Sequence, residues 1–203
     1  MLATKQPFAE AMSELPFSLW RFSVAQYEAM IDAGILTEND PVELLEGWIV
    51  KKMPKNPAHI FSTQVLQDIF GKILPEGWFI NLQDPITTEG SEPEPDVAIL
   101  RGQRRDYVAR KAVPDDVALV IEVAEATLPQ DRTIKKRVYA AAGIPVYWII
   151  NLPDKQLEVY TNPATVADGP DYEEQQIYRA SDTVPVVING RKIATVRVTE
   201  LLP

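Results

Sequence analysis

The sequence contains no cysteine and a single histidine, His59. Disulfides and thiolate metal sites are therefore excluded, and a histidine-rich metal centre cannot form. No apolar run approaches the ~20 residues needed to cross a bilayer. The opening stretch, MLATKQPFAEAMSELPF, has no basic region leading into an apolar core, so it does not read as a signal peptide. The expectation is a cytoplasmic protein with no membrane partner. Basic residues are also in deficit: 20 Lys and Arg face 29 Asp and Glu, a net charge of −9. That balance argues against a protein that coats nucleic acid, because phosphate binding needs a basic surface. One basic locality remains: Arg101, Arg104, Arg105, Arg110 and Lys111, diluted by Asp106. It reads either as a solvated connection or as a phosphate-facing one.

What is present suits an ordinary globular chain. Its 203 residues, 46% of them hydrophobic, are enough for one substantial core and marginal for two. The expectation is one domain over 1–203, with 1–20 as an arm because Pro7 and Pro16 interrupt any helix. Ser23 caps a predicted helix over 24–33 that Gly34 ends. Residues 42–53 read as a strand or as a hairpin bent at Gly47. A helix over 58–74 shows an apolar stripe at Phe61, Val65, Ile69 and Ile73. A strand containing Gln83 follows over 78–88, and then two apolar runs at 97–100 and 117–123. Asp131 is the expected N-cap of a helix reaching Ala142. Residues 146–152 form a central strand with 156–160 as its neighbour, 161–172 a loop, and 175–179, 184–188 and 192–198 three short strands. Asn189-Gly190 marks a two-residue hairpin turn. This order of elements predicts an α/β fold.

Two of these runs hold a carboxylate where a buried strand would ordinarily have none: Asp96 at the mouth of one and Glu122 inside the other. A buried carboxylate is costly unless a cation, a metal or hydrogen bonds compensate it. Asp131, Lys135 and Tyr139 recur every four residues along one helix face. Two carboxylates and a lysine converging from a hairpin and the next helix suit metal-assisted hydrolysis. Asp96 and Glu122, with the main-chain carbonyl of Val123, offer the hard oxygen ligands that Mg²⁺ (or Mn²⁺) prefers. A nearby lysine orients the attacking water, stabilises charge, or acts as base if its pKa is depressed.

These residues carry a family resemblance. Pro95-Asp96 followed by Glu122 in an apolar strand resembles the PD-(D/E)XK nucleases of restriction-endonuclease-like folds. More specifically, the chain resembles the Uma family of restriction-endonuclease-like proteins. The resemblance rests on Glu-Pro-Asp-Val-Ala-Ile (94–99), Val-Ile-Glu-Val-Ala (120–124), the helix bearing Asp131, Lys135 and Tyr139, and Ala-Gly-Ile-Pro-Val-Tyr-Trp-Ile-Ile (142–150). Glu-Leu-Leu-Glu-Gly-Trp-Ile (43–49), Met53-Pro54, His59 and Gln83 extend it upstream. It implies a restriction-endonuclease-like α/β fold with a central mixed β-sheet flanked by α-helices. It also implies a Mg²⁺-dependent endonuclease acting on DNA, commonly as a homodimer. Asp96 and Glu122 would hold metal, Lys135 would position or activate water, and Glu46 would join as an extra acid. His59, Gln83, Asp131 and Tyr139 would support them. The chain departs from the pattern at Ala124, where the usual lysine belongs, so Lys135 becomes its replacement from the following helix. Lys136 points about 100° away and is the poorer candidate.

Each residue also has a plainer reading. Asp96 can cap a turn after Pro95, Glu46 can be an exposed turn acid, and His59 can be structural. Glu122 and Lys135 can form a buried ion pair without catalysis. Asp131 and Lys135 can be an exposed (i, i+4) pair, and Tyr139 can be core packing. At the level of the whole chain, the rivals are a catalytically silent nuclease fold serving as an interaction or nucleic-acid-binding module, and a metal-free two-carboxylate hydrolase of sugars.

Overall fold

A computed structural model describes residues 18–203. Most of the arm expected over 1–20 therefore lies outside the described residues. In chain order the elements are α1 (Val24–Asp32), the hairpin β1 (Val42–Leu45) and β2 (Trp48–Lys51), α2 (Pro57–Ile73), β3 (Trp78–Asn81), β4 (Val97–Arg101) and β5 (Val117–Ala124). A helix over 128–141, here α3, is followed by β6 (Val146–Asn151), β7 (Gln156–Val166), β8 (Gly169–Arg179), β9 (Thr183–Ile188) and β10 (Arg191–Arg197). The fold is mixed α/β. Strands β3 to β8 form one six-stranded sheet in their sequence order. Only β5 and β6 run parallel, because α3 carries the chain back between them; every other neighbour is antiparallel.

Strand β5 is the centre of the sheet. All eight of its residues are buried, as expected of a strand covered on both faces. One face packs Leu119, Ile121, Trp148 and Ile150 against Leu66 and Phe70 of α2 and against Val184, Val186 and Val196 of the β9–β10 hairpin. The other face packs Val120, Ala124, Tyr147 and Ile149 against Tyr139 and Ala140 of α3. Among the described residues no helix is long and apolar enough to cross a membrane.

Several local expectations change. The inward face of α2 is Ser62, Thr63, Leu66 and Phe70, whereas Phe61 is exposed and Val65, Ile69 and Ile73 only flank the core. Periodicity misses this because Ser62 and Thr63 count as polar, yet both hydroxyls are satisfied inside. Ser62 Oγ donates to the Leu201 carbonyl at 2.7 Å, and Thr63 Oγ1 to that of His59 at 3.0 Å. The strand read over 78–88 stops at Asn81. Residues 161–172 are not a loop: β7 and β8 stay paired from Gln156↔Arg179 out to Val166↔Gly169, with Asn162 at positive φ where the arm kinks. Asp131 is not an N-cap. Helix α3 begins three residues earlier, with Pro129 in its first turn, so Asp131 lies inside it.

Candidate active site

Register creates the site. Val97 pairs with Ile121, so Asp96 and Glu122 face each other at the next rung, one residue before the start of β4. The Asp96 N–H donates to Glu122 Oε2 at 3.4 Å. Beyond this rung β5 continues beside β6 alone, and its other edge opens into a cleft of about 380 Å³. Val123 N–H donates to Asp96 Oδ2 at 2.9 Å. In a strand, a residue's N–H and C=O point to the same edge, and the Ala124 carbonyl accepts from Leu152 on the β6 side. The Val123 carbonyl therefore faces the open edge.

His59, in the first turn of α2, places Nε2 2.8 Å from the same Asp96 Oδ2. Asn56 sets up that turn by accepting the His59 N–H at 2.9 Å, and its side-chain amide also bonds Glu125. Both contacts of the Asp96 carboxylate fall on Oδ2, so Oδ1 has no partner among the described residues.

Lys135 comes from α3, within a π-helical turn over Asp131–Lys135. Such a turn widens the helix by one residue and is frequent at functional positions. The buried ammonium donates to Glu122 Oε1 at 3.0 Å and lies 3.4 Å from Glu43 Oε1. Tyr139 hydroxyl donates to the same Glu122 Oε1 at 2.7 Å. Asp131 is buried beside them, and its Oδ2 has no partner among the described residues. The three α3 residues thus share one buried face, which removes the exposed-pair reading of Asp131 and Lys135.

Burial sets the protonation. It pushes the Glu122 carboxyl up to about 8; Lys135 opposes this, and Asp131, Asp96 and Glu43 add to it. Asp131 goes up to about 6 for the same reason, against the pull of Lys135 and Thr127. Burial alone would lower Lys135, but the carboxylates of Glu122, Glu43, Asp131 and Asp96 hold it well above the ordinary lysine range. Lys135 is thus an ammonium, fit to orient and neutralise but not to abstract a proton. Burial likewise raises the Tyr139 phenol far up, so it is a neutral donor.

Glu46 is not brought to this cluster. It sits in the β1–β2 turn at positive φ, pairs with Arg137 and does not line the cleft. Arg137 is two residues past Lys135, hence on another side of α3. Glu43 takes the position that the sequence reading gave to Glu46. It is buried on β1, two residues before Leu45, whose packing on Ile134 and Val138 seats the hairpin against α3. Its Oε2 accepts the Glu94 N–H at 3.1 Å. The signal was present: an acid inside an apolar strand, the same feature that singles out Glu122.

The basic connection turns inward on itself. Arg101 and Arg104 lie over Trp78 and Phe79, Arg110 binds Asp116, and Lys111 binds Glu28 and Glu92. None of its members lines the cleft.

The donor set fits a divalent ion. Among the described residues no three His, Asp or Glu side chains gather to hold a metal by themselves. Two carboxylates, one with an uncommitted oxygen, and a main-chain carbonyl on an open edge instead match Mg²⁺, which keeps several waters and takes few protein ligands.

No curated protein matches the chain. Among solved structures it is similar to one titled a putative nuclease belonging to DUF820 from Anabaena variabilis. The two are 15% identical, with a TM-score of 0.65 over 89% of this chain and 97% of the other. At that identity the likeness shows the fold. Residues 24–195 match the family Uma2, described as "Putative restriction endonuclease". The Asp96–Glu122 rung, the α3 lysine and the mixed sheet that positions them therefore sit in a chain that belongs to the Uma2 family.

Proposed function

We propose that this chain hydrolyses DNA phosphodiester bonds with Mg²⁺ or Mn²⁺, as an endonuclease of PD-(D/E)XK type whose lysine has moved to the following helix. The observation that carries the reading is the pairing of Asp96 with Glu122 at an open sheet edge, with the Lys135 ammonium 3.0 Å from Glu122. Asp96, Glu122 and the Val123 carbonyl would hold the ion, which when bound supplies positive charge against the anionic diester and a more acidic water. His59 and the Val123 N–H fix the rotamer of Asp96 through Oδ2. Lys135 ties Glu122 to Glu43, so a single ammonium aligns acids from β5 and β1 and offsets their repulsion. Tyr139 fixes Glu122 from the helix side. The homodimer that the resemblance implies and the cytoplasmic location expected from the sequence belong to the same proposal.

The catalytically silent alternative draws on one observation: Glu122 Oε1 already accepts from both Lys135 and Tyr139. Plasmid nicking separates the two readings. Supercoiled DNA with Mg²⁺ or Mn²⁺ is expected to be cut by the wild type, and EDTA, Asp96→Asn and Lys135→Met each abolish cutting while thermal melts show folded protein. Loss of one residue of such a set costs about 10²-fold or more. Cutting that survives Lys135→Met would remove the lysine from the reaction. A metal-binding, folded wild type that never cuts would leave the silent reading.

A further inference from the structure

Resting on the nuclease reading, we propose that Gln83 is a substrate-positioning residue whose side-chain amide donates to a phosphate oxygen of the nucleic-acid backbone. Its backbone has φ +58, the left-handed region that non-glycine residues enter at a cost. The other non-glycine residues there have local reasons. Glu46 and Asn189 precede glycines in two-residue hairpin turns, Lys155 is in the β6–β7 turn, and Asn162 marks the β7–β8 kink. Gln83 is in no two-residue turn but in the long β3–β4 connection. It follows the end of β3, where its N–H donates to the Pro95 carbonyl at 3.2 Å, beside Asp96. Its side chain lines the cleft yet bonds no described residue. Strain is thus accepted at a place where the side chain has no partner among the described residues.

The chemistry of the cleft explains why a neutral amide suits this place. Eight acidic side chains and three lysines line the cleft. Lys52 is bonded to Glu94, and Lys135 is held by Glu122 and Glu43. Among the described residues only Lys55, of these three lysines, has no partner. A cation at position 83 would face the same capture by Glu94 or Asp96. A glutamine keeps two N–H donors for an incoming phosphate and adds no charge that the acids can claim.

Glycine separates the ligand role from a backbone role, since it takes positive φ without cost. Cleavage of a DNA substrate with Mg²⁺ is measured as kcat and KM for wild type, Gln83→Gly and Gln83→Glu, with anisotropy of a fluorescein-labelled DNA duplex and thermal melts alongside. Gln83→Gly is expected to melt within about 3 °C of wild type, as strain relief offsets added chain freedom. Its KM and Kd rise about ten-fold, the loss of one hydrogen bond to a charged group, while kcat changes little. Gln83→Glu, which exchanges the donor for a charge, loses at least as much. If Gln83→Gly binds and cuts as the wild type does, the proposal is overturned and the nuclease reading stands. If the wild type binds the duplex without cutting and Gln83→Gly weakens that binding, the positioning role stands and the catalytic reading falls. A wild type that binds no duplex overturns both.

Discussion

Glu122 and Glu158 are both carboxylates with almost no exposure in the central sheet, and they move to opposite sides of the ordinary value. Glu122 has acids for neighbours and one lysine, so burial prevails. At Glu158 burial also pushes upward, but donors outnumber it: Arg132, Asn151, Tyr160 and Gln156 all hydrogen-bond the carboxylate, and the net shift is down. A depressed folded pKa contributes stability that is fully present above the unfolded value, ~4.3, and is lost as pH falls through the folded one. Thermal melts of wild type and Glu158→Gln from pH 7 downward check this. The wild type is expected to melt higher at pH 7, with the gap narrowing only below about pH 4. A gap independent of pH would mean that the charge of Glu158 contributes nothing. The same residue-level chemistry explains what could be read beforehand. Asp96, Glu122 and Lys135 announce themselves as charges in apolar or periodic surroundings. Asn56 does not, and Gln83 enters only through the family resemblance, because a neutral amide carries no such signature until its neighbours are known.

Among the elements, the β1–β2 hairpin has the most exacting join. Gly47 has φ +81, its carbonyl accepts the Phe22 N–H at 2.8 Å, and its own N–H donates to Gly90 at 3.0 Å. A Cβ there would meet Arg21 Cβ at 2.7 Å and the Phe22 carbonyl at 3.0 Å. Gly47→Ala is therefore expected to cost about 1–3 kcal/mol, seen as a lower urea midpoint, and to weaken the seating of Glu43. Gly34→Ala is the control for positive φ alone, since nothing lies near its Cβ; a loss as large there would remove the steric part of the account. Elements with local chemistry were legible: the Ser23 N-cap, which the structure completes as a capping box with Gln26, and the Asn189-Gly190 turn, with both residues at positive φ. Elements decided by distant partners were not. Pro163 and Pro170 look like loop residues, yet they sit opposite Tyr172 and Thr165 in a long hairpin. Pro129 looks like a break and instead lies in the first turn of α3.

At the scale of the whole molecule, mixed α/β class and family were readable because several separated motifs agree. The partition of charge was not, since it depends on which basic side chains fold back onto acids. Arg110 and Lys111 do so, and the cleft is left predominantly acidic. Such a cleft is stabilised by whatever cation fills it. A thermal scan with increasing Mg²⁺ is expected to raise Tm, by the equivalent of about 2.7 kcal/mol at one hundred times Kd. The rise should vanish in Asp96→Asn and persist in Glu158→Gln. A rise that Asp96→Asn retains would place the ion elsewhere.

The strand order of the central sheet equals the sequence order from β3 to β8. Each strand, as it leaves the ribosome, can add to the edge of the one before it, with α3 as the crossover between β5 and β6. Glu43 through Tyr139 are complete in the nascent chain before β6, β7 and β8 exist. Folding during synthesis would then let the charged cluster gather on a three-stranded, still hydrated edge, with its burial beside β6 last. That order would spare the chain from desolvating four acids and a lysine before their partners are in reach.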